Sequence, residues 1–436
     1  MGLQMLWLVL LASVAAVLIA APGLRRTRPN AWWCFIGYPL TVVRIWASWR
    51  RLTGTTGLAV PRRPARALLG AVIVKGVALR PVPPRLGAPR LRQGGLEVTV
   101  RLHPGQVPDE FGQFALAFAH AWRMHAVRVV GDGRGFVRLV ALAWDPLAAP
   151  HVPRGARPQL LRAVVGRRED GAVWAIDLHI APHWLIVGAT RSGKSTLIAA
   201  LVKQLAPQPV ALFGIDLKGG MELSLFEARL SALAPDRATA RRLLLELMAE
   251  AESRMALCRS AGVRAVKDLP AKLRKVPIVI IVDEVAELFL MATRDDKTEV
   301  AEIATALLRI AQLGGALDVH LVIAGQRVGS DLGAGVTALR AQLAGRVCHR
   351  VTDPGTAEMA LGDLSKEALE AAQRITLAEQ GVAVTFGDDG QWTRARSIHV
   401  TPEEARRVAL KHARLAPAWP GLLSVPTDAD DEGVYL

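Results

Sequence analysis

One glycine-rich stretch, Gly188-Ala-Thr-Arg-Ser-Gly193-Lys194-Ser195-Thr196, limits what this chain can fold into more tightly than anything else in it. It follows a short apolar run, residues 183–187 (HWLIV), and leads into the helix-forming run LIAALVKQL, residues 197–205. Strand, loop and helix in that order form the context in which GxxxxGK[ST] holds the phosphates of a nucleotide. The glycines allow a tight backbone turn, so that successive N–H groups and the helix N-terminus converge on phosphate oxygens. The expected ATP cradle is Gly188, Ala189, Thr190, Arg191, Ser192, Gly193, Lys194, Ser195 and Thr196. Lys194 is placed to bridge the β- and γ-phosphates, and the Ser195 hydroxyl to hold Mg²⁺. Composition alone produces such a pattern in about one chain in a hundred of this length.

The partner of this loop lies downstream. Residues 278–282 (IVIIV) form a continuous apolar run, as a central parallel strand covered on both faces requires. The run ends in Asp283-Glu284, and a carboxylate at the C-terminal edge of such a strand lies beside the phosphate loop. Asp283 is expected to hold the Mg²⁺ shell and Glu284 to orient and deprotonate the attacking water, which points to hydrolysis rather than passive binding. Two further β-type runs, 210–215 and 319–324, alternate with helical patterns at 241–259 and 300–313. The class is therefore α/β, a RecA-like P-loop NTPase motor. Gln326, beyond the strand 319–324, has the position of a γ-phosphate sensor and joins Lys194 and Glu284 as a candidate catalytic residue.

The N-terminal part has a different character. Residues 3–22 carry no charge, and about twenty such residues span the hydrocarbon core as a helix. Arg25, Arg26 and Arg28 follow, which by the positive-inside rule puts the rest of the chain, motor included, on the cytoplasmic side of the cell membrane. The segment lacks the basic leader of a secretory signal. A second apolar stretch, residues 31–49, contains Pro39 and Arg44 and is rich in Trp; it reads either as a second span or as an interfacial helix, and the charge rule favours the interfacial one. Prolines punctuate residues 81–89 and 150–158, marking two linkers. Between them, alternation over 96–102 and 136–144 and helical spacing of Phe111, Phe114, Phe118 and Trp122 describe a small α+β domain whose aromatics form its core.

The expected division is a membrane anchor at 1–55, an α+β adaptor domain at 61–150, the motor at 159–398, and a C-terminal helix with an acidic tail at 399–436. Removal of the first sixty residues is then expected to leave a soluble chain that assembles poorly. The formal charge of +15, from 54 Lys+Arg against 39 Asp+Glu, favours phosphate backbones or anionic lipid as partners. Cys34, Cys258 and Cys348 show neither CxxC nor metal-ligand spacing, which excludes a zinc module or a disulfide framework.

With these residues located, the stretch from about Leu161 to Ser397 resembles the FtsK/SpoIIIE family of double-stranded DNA translocases. The likeness is carried by HWLIVGATRSGKST, FGIDLKGGMEL, AESRMALCRSAGVRAVKDL, VPIVIIVDEVAEL, HLVIAGQR and ALRAQLAGRVCHRVTDPGTAEMALGD. It is nearest to the FtsK-like transfer proteins of actinobacterial conjugative plasmids and integrative elements. The resemblance implies a homo-hexameric ring around duplex DNA, anchored at the plasma membrane, with Lys194 and Asp283 essential at the nucleotide site. Chromosome translocases of the family place an arginine finger where this chain has Gly314-Gly315, so the finger is unassigned among Arg309, Arg327 and Arg346. Arg340, Arg346 and Arg350 form the most basic local stretch and are candidates for the DNA channel or for a solvated surface. About forty residues follow Ser397, too few for the winged-helix reading head of larger relatives, so sequence-blind backbone binding is expected. The competing functions are a protein-export ATPase of the same superfamily, in which P-loop modules are usually strung together, and a nucleotide-switched membrane tether, against which an intact Glu284 argues.

Overall fold

The computed structural model describes residues 23–24, 27–62, 80–92, 94–150, 159–291, 296–329, 334–362, 366–386, 390 and 392–418. The uncharged segment 3–22 and the acidic end 428–432 lie outside the described residues. The chain forms two compact units, residues 1–148 and 149–436.

The first unit starts with a helix: Pro29–Trp32, a π-turn at Trp33–Gly37, then Tyr38–Thr55. Thr41, Ile45, Trp49 and Thr53, every fourth residue, are buried, and the Thr41 and Thr53 hydroxyls donate to the carbonyls of Gly37 and Trp49, so no polar group is stranded. The sheet beneath is antiparallel, ordered Arg85–Leu86, Gly95–Arg101, Phe136–Leu142, Ala126–Gly131, with Arg90–Arg92 also on the second strand. Leu96, Val98 and Val100 alternate inward against Phe111, Phe118 and Trp122, the core the sequence pattern leads one to expect. Trp49 stacks on Phe118 with ring centroids 6.0 Å apart.

Of the two readings of residues 31–49, the helix's packing counts against the second span. The Trp33 and Trp49 indole N–H groups donate to the carbonyls of Gly95 and Pro84, both at 2.9 Å, and the Tyr38 hydroxyl donates to Pro89. A segment packed this way on an α+β core is not a bilayer span. It belongs to the same unit as the sheet and not to a separate anchor, because its tryptophans supply core volume and place their N–H groups on backbone carbonyls. Its other face leaves Phe35, Leu40, Val43 and Trp46 exposed.

The second unit is built on a ten-stranded sheet. Six strands are parallel, in the order Ala232–Ala234, Ala211–Ile215, Ile278–Val282, Val319–Gly325, His183–Val187, Gly345–His349. Val382–Phe386, Trp392–Ser397, Arg162–Arg168 and Val173–Asp177 extend it antiparallel. The strands at 183–187, 211–215, 278–282 and 319–325 are buried along their whole length. Helices Lys194–Leu205, Arg237–Ser260 and Asp296–Leu313 flank the sheet. The Asp236 side chain caps the second by accepting from the Thr239 N–H at 2.8 Å. Asp296–Leu317 is, among the described residues, the one helix long and apolar enough to cross a bilayer, but Ile303, Ala306, Leu307 and Ile310 are fully buried in the motor.

Two arginines here act as staples inside the protein. Arg229 donates to the carbonyls of Ala206, Gln208 and Val210, and Arg254 to those of Leu317 and Val276. Burial lowers the Arg229 guanidinium to about 10. The C-terminal helix Pro402–Lys411, capped by Thr401, buries Ala405 and Ala409 in the motor core and pairs Glu404 with Lys203 at 2.8 Å. It is part of the motor unit.

Candidate active site

The strand His183–Val187 sits between Val319–Gly325 and Gly345–His349, so the loop after it emerges at the centre of the sheet's C-terminal edge. Its backbone is tied to both neighbours: the Gly188 N–H donates to Gly325 at 3.2 Å, and the Ala189 N–H to Arg350 at 2.9 Å. Gly193 has φ of +114°, and a Cβ there would lie 2.5 Å from the backbone of Gly381. At Gly188 a Cβ would meet Ser192 Oγ at 2.5 Å and His349 Cβ at 2.7 Å. Only glycine leaves both positions open. Arg191 adopts a left-handed backbone at φ +59°, a strained conformation of the kind held at functional loops. Helix Lys194–Leu205 then begins immediately, with Ser195 and Thr196 in its first turn.

Lys194 is buried, and its Nζ donates to the Gly188 carbonyl at 3.0 Å and to Glu284 Oε2 at 3.4 Å. Burial lowers its affinity for a proton, and the carboxylates of Glu284 and Asp283 oppose that shift. Asp283 and Glu284 follow the strand Ile278–Val282 and are 4% and 5% exposed, so neither is an ordinary surface acid. Burial, then the negative charge of Asp216, pushes the Asp283 carboxyl up to about 6. Its Oδ1 is buried and has no hydrogen-bond partner among the described residues, and the Ser192 hydroxyl is in the same condition. Such orphaned groups beside a glycine cradle fit a nucleotide and its cation. Ser195 and Asp283 are the residues that fit Mg²⁺, since a hydroxyl and a carboxylate are hard oxygen donors.

Glu284 is held on both of its oxygens. Oε1 accepts the Gln326 backbone N–H at 3.0 Å, while Oε2 faces Lys194 Nζ at 3.4 Å and Lys218 Nζ at 3.6 Å. Gln326 thus meets Glu284 through its backbone, and its side-chain oxygen accepts from the Thr190 hydroxyl at 3.4 Å.

Lys218 and Asp216 were not singled out from sequence. Asp216 is fully buried; its carboxylate accepts from the N–H groups of Lys218, Glu222 and Leu223, which folds the turn that delivers Lys218 to Glu284. The available signal was an Asp closing an apolar strand with a Lys two residues on, beside the strand that ends in Asp-Glu. Arg350, a channel candidate, donates to the Thr190 carbonyl of the loop at 3.2 Å. Arg346 donates to Arg340 and Arg340 to Val328, so both are tied to backbone within this chain. Arg309 and Arg327 are exposed.

A phosphate cradle, a buried carboxylate pair and a parallel sheet with this strand order define a P-loop ATPase domain, and residues 153–276 and 268–330 match the model of the FtsK/SpoIIIE family. Residues 20–143 match the actinomycete conjugal transfer protein N-terminal domain. The chain belongs to this family of actinomycete FtsK/SpoIIIE-type transfer proteins: it is 40% identical over 395 residues to the transfer protein TraSA of Streptomyces ambofaciens, covering 87% of this chain and 94% of that one. A sporulation regulatory protein of Streptomyces azureus is 45% identical over 267 residues, covering 61% of this chain and 88% of that one. Among solved structures, the conjugation coupling protein TcpA of pCW3, a monomer with ATPγS, superposes with a TM-score of 0.53 at 20% identity, covering 74% of this chain and 93% of that one, and shares the fold.

Proposed function

We propose that this chain is a membrane-anchored, ATP-hydrolysing translocase of double-stranded DNA that serves conjugal transfer. The observation that carries the reading is Glu284, a buried carboxylate held on one oxygen by a backbone N–H and flanked on the other by two ammonium groups beside a glycine loop. A nucleotide-binding module without turnover needs no such group.

In this reading the amides of the loop from Gly188 to Ser195 hold the phosphates of ATP, and Lys194 leaves Glu284 to neutralise the β- and γ-phosphates. That transfer frees Glu284 Oε2 to take a proton from the attacking water, while the Gln326 N–H and Lys218 keep the carboxylate aimed. Mg²⁺, when bound by Ser195 and Asp283, offsets phosphate charge. The Gln326 side chain, reaching over the loop at Thr190, is placed to report on the γ-phosphate. The kinship with a transfer protein supports conjugal transfer as the setting, and the likeness to FtsK DNA translocases supports DNA as the substrate. Residues 3–22 supply the anchor, with the motor cytoplasmic, and the FtsK/SpoIIIE likeness supports a homo-hexameric ring.

The test is ATP turnover by the detergent-solubilised full chain with and without linear duplex DNA. Strong stimulation by duplex supports the reading; turnover indifferent to DNA overturns it in favour of an export motor or a tether. Lys194→Ala should abolish turnover, and Glu284→Gln should bind ATP yet hydrolyse it about 10²- to 10⁴-fold more slowly.

A further inference from the structure

The first unit holds a recess that neither its core nor the motor chemistry explains. Arg85 and Arg101 stand directly opposite each other across an antiparallel pair, and Arg101 in turn stands opposite Phe136 on the next strand. Opposed residues share a face, so the three side chains form one row across the sheet. Arg134, in the turn before Phe136, and the turn from His103 to Gln106 close the row into a cleft of about 560 Å³. The rim is firmly built: His103 N–H donates to Gln106 Oε1 at 3.0 Å, Gln106 Nε2 donates to Leu58 at 2.9 Å, and Leu102 N–H donates to Gly135 at 2.9 Å.

The charges in this cleft are unbalanced. Among the described residues no carboxylate pairs with Arg85, Arg101 or Arg134, whereas Arg92 and Arg138 on the same sheet face Glu97, and Asp132 is engaged by Arg138 at 3.8 Å. Like charges directly opposed on a sheet cost stability, so a row that keeps them is arranged for a negative ligand. Guanidinium forks match phosphate oxygens two at a time, and Phe136, 40% exposed, offers an apolar ring beside them.

We propose that this cleft binds the phosphodiester backbone of DNA, a second contact remote in sequence from the ATP site; the proposal rests on the translocase reading. A recess fits a backbone better than it fits a flat bilayer. The same unit also presents a separate apolar face at Phe35, Leu40, Val43 and Trp46 that suits lipid.

The experiment is anisotropy of a labelled duplex of about 30 base pairs with the full chain in neutral detergent, without nucleotide, between roughly 50 and 200 mM salt. The variants are Arg85→Ala/Arg101→Ala/Arg134→Ala and the corresponding triple Lys replacement. The Ala triple should weaken binding about ten- to a hundredfold and lower the slope of log K against log salt by about 2 to 3, while the Lys triple keeps most of both. Its melting temperature should equal or exceed the parent's, because repulsion is relieved, and its DNA-free ATP turnover should be unchanged. Duplex binding by the Ala triple with the parent's slope overturns the cleft and leaves the translocase reading intact. A parent that binds no duplex at low salt overturns both. Loss of binding to phosphatidylserine vesicles with duplex binding kept makes this a lipid site, and an Ala triple melting well below the parent makes the arginines structural; either overturns the proposal.

Discussion

Lys218 shows how much of this site depends on a single charge placed by folding. Its Nζ lies 3.6 Å from Glu284 Oε2, and in the proposed cycle it stays beside that carboxylate when Lys194 turns to phosphate. An ion pair with one partner partly exposed is worth about 1 kcal/mol, so Lys218→Ala should lower kcat by about fivefold with KM little changed. Lys218→Arg should recover part of the loss; an Ala variant at the parental kcat would remove Lys218 from the mechanism. A second residue-scale consequence lies at the base of the sheet. Burial holds His183 at about 4, and burial together with the nearby His183 holds His320 at about 3, both below the ordinary 6.5. Between those values and 6.5 the unfolded chain binds protons that the native protein refuses, so stability falls as pH drops from about 6.5 towards 4. Each histidine contributes about 1.4 kcal/mol per pH unit in that window. Asn at position 320 can still reach the Pro182 carbonyl that His320 Nδ1 contacts at 3.2 Å. Thermal melting of His320→Asn should therefore show a shallower loss from pH 7 to 5 than the parent, and parallel curves would refute the assignment.

Among the elements, the helix Tyr38–Thr55 buries one face and opens the other. Trp49 is 4% exposed, stacked on Phe118 and bonded to Pro84, so Trp49→Ala should cost the first unit about 3–5 kcal/mol. Leu40, Val43 and Trp46 lie on the open face, 49%, 65% and 53% exposed. Their joint replacement by Gln should change stability by only about 0.5 kcal/mol per site while reducing attachment to vesicles. Melting and co-sedimentation check the two halves, and equal stability costs on both faces would mean the helix is not seated as described. The phosphate loop is the other element where geometry decides. Gly193→Ala puts a methyl group against Gly381 at a φ that L-residues avoid, and should remove nucleotide binding measured by calorimetry while leaving the sheet folded.

For the whole molecule, the two units change what a useful truncation is. Cutting at residue 60 would strip Trp33, Ile45, Trp49 and Leu58 from the first unit's core, so the truncated chain should aggregate, contrary to the solubility that the sequence pattern suggests. Removal of residues 1–22 alone should leave both units folded, with DNA-stimulated turnover requiring higher protein concentration because the proposed membrane confinement is lost. Stimulation at the same protein concentration as the parent would argue against the anchor's part in assembly. The sequence by itself determined the motor class, because a strand, a glycine loop and a helix in that order, followed by an apolar strand ending in Asp-Glu, are local patterns whose meaning survives without a third dimension. It also determined the small domain's inward faces, since alternation and helical spacing are local. Tertiary structure alone decided which side of residues 31–49 is buried, that Arg350 braces the loop while Arg229 and Arg254 are staples, and that Lys218 reaches Glu284. It alone set Arg85, Arg101 and Phe136 in one row. Those outcomes depend on register and crossover between segments far apart in the chain, and no local period encodes which strand lies beside which.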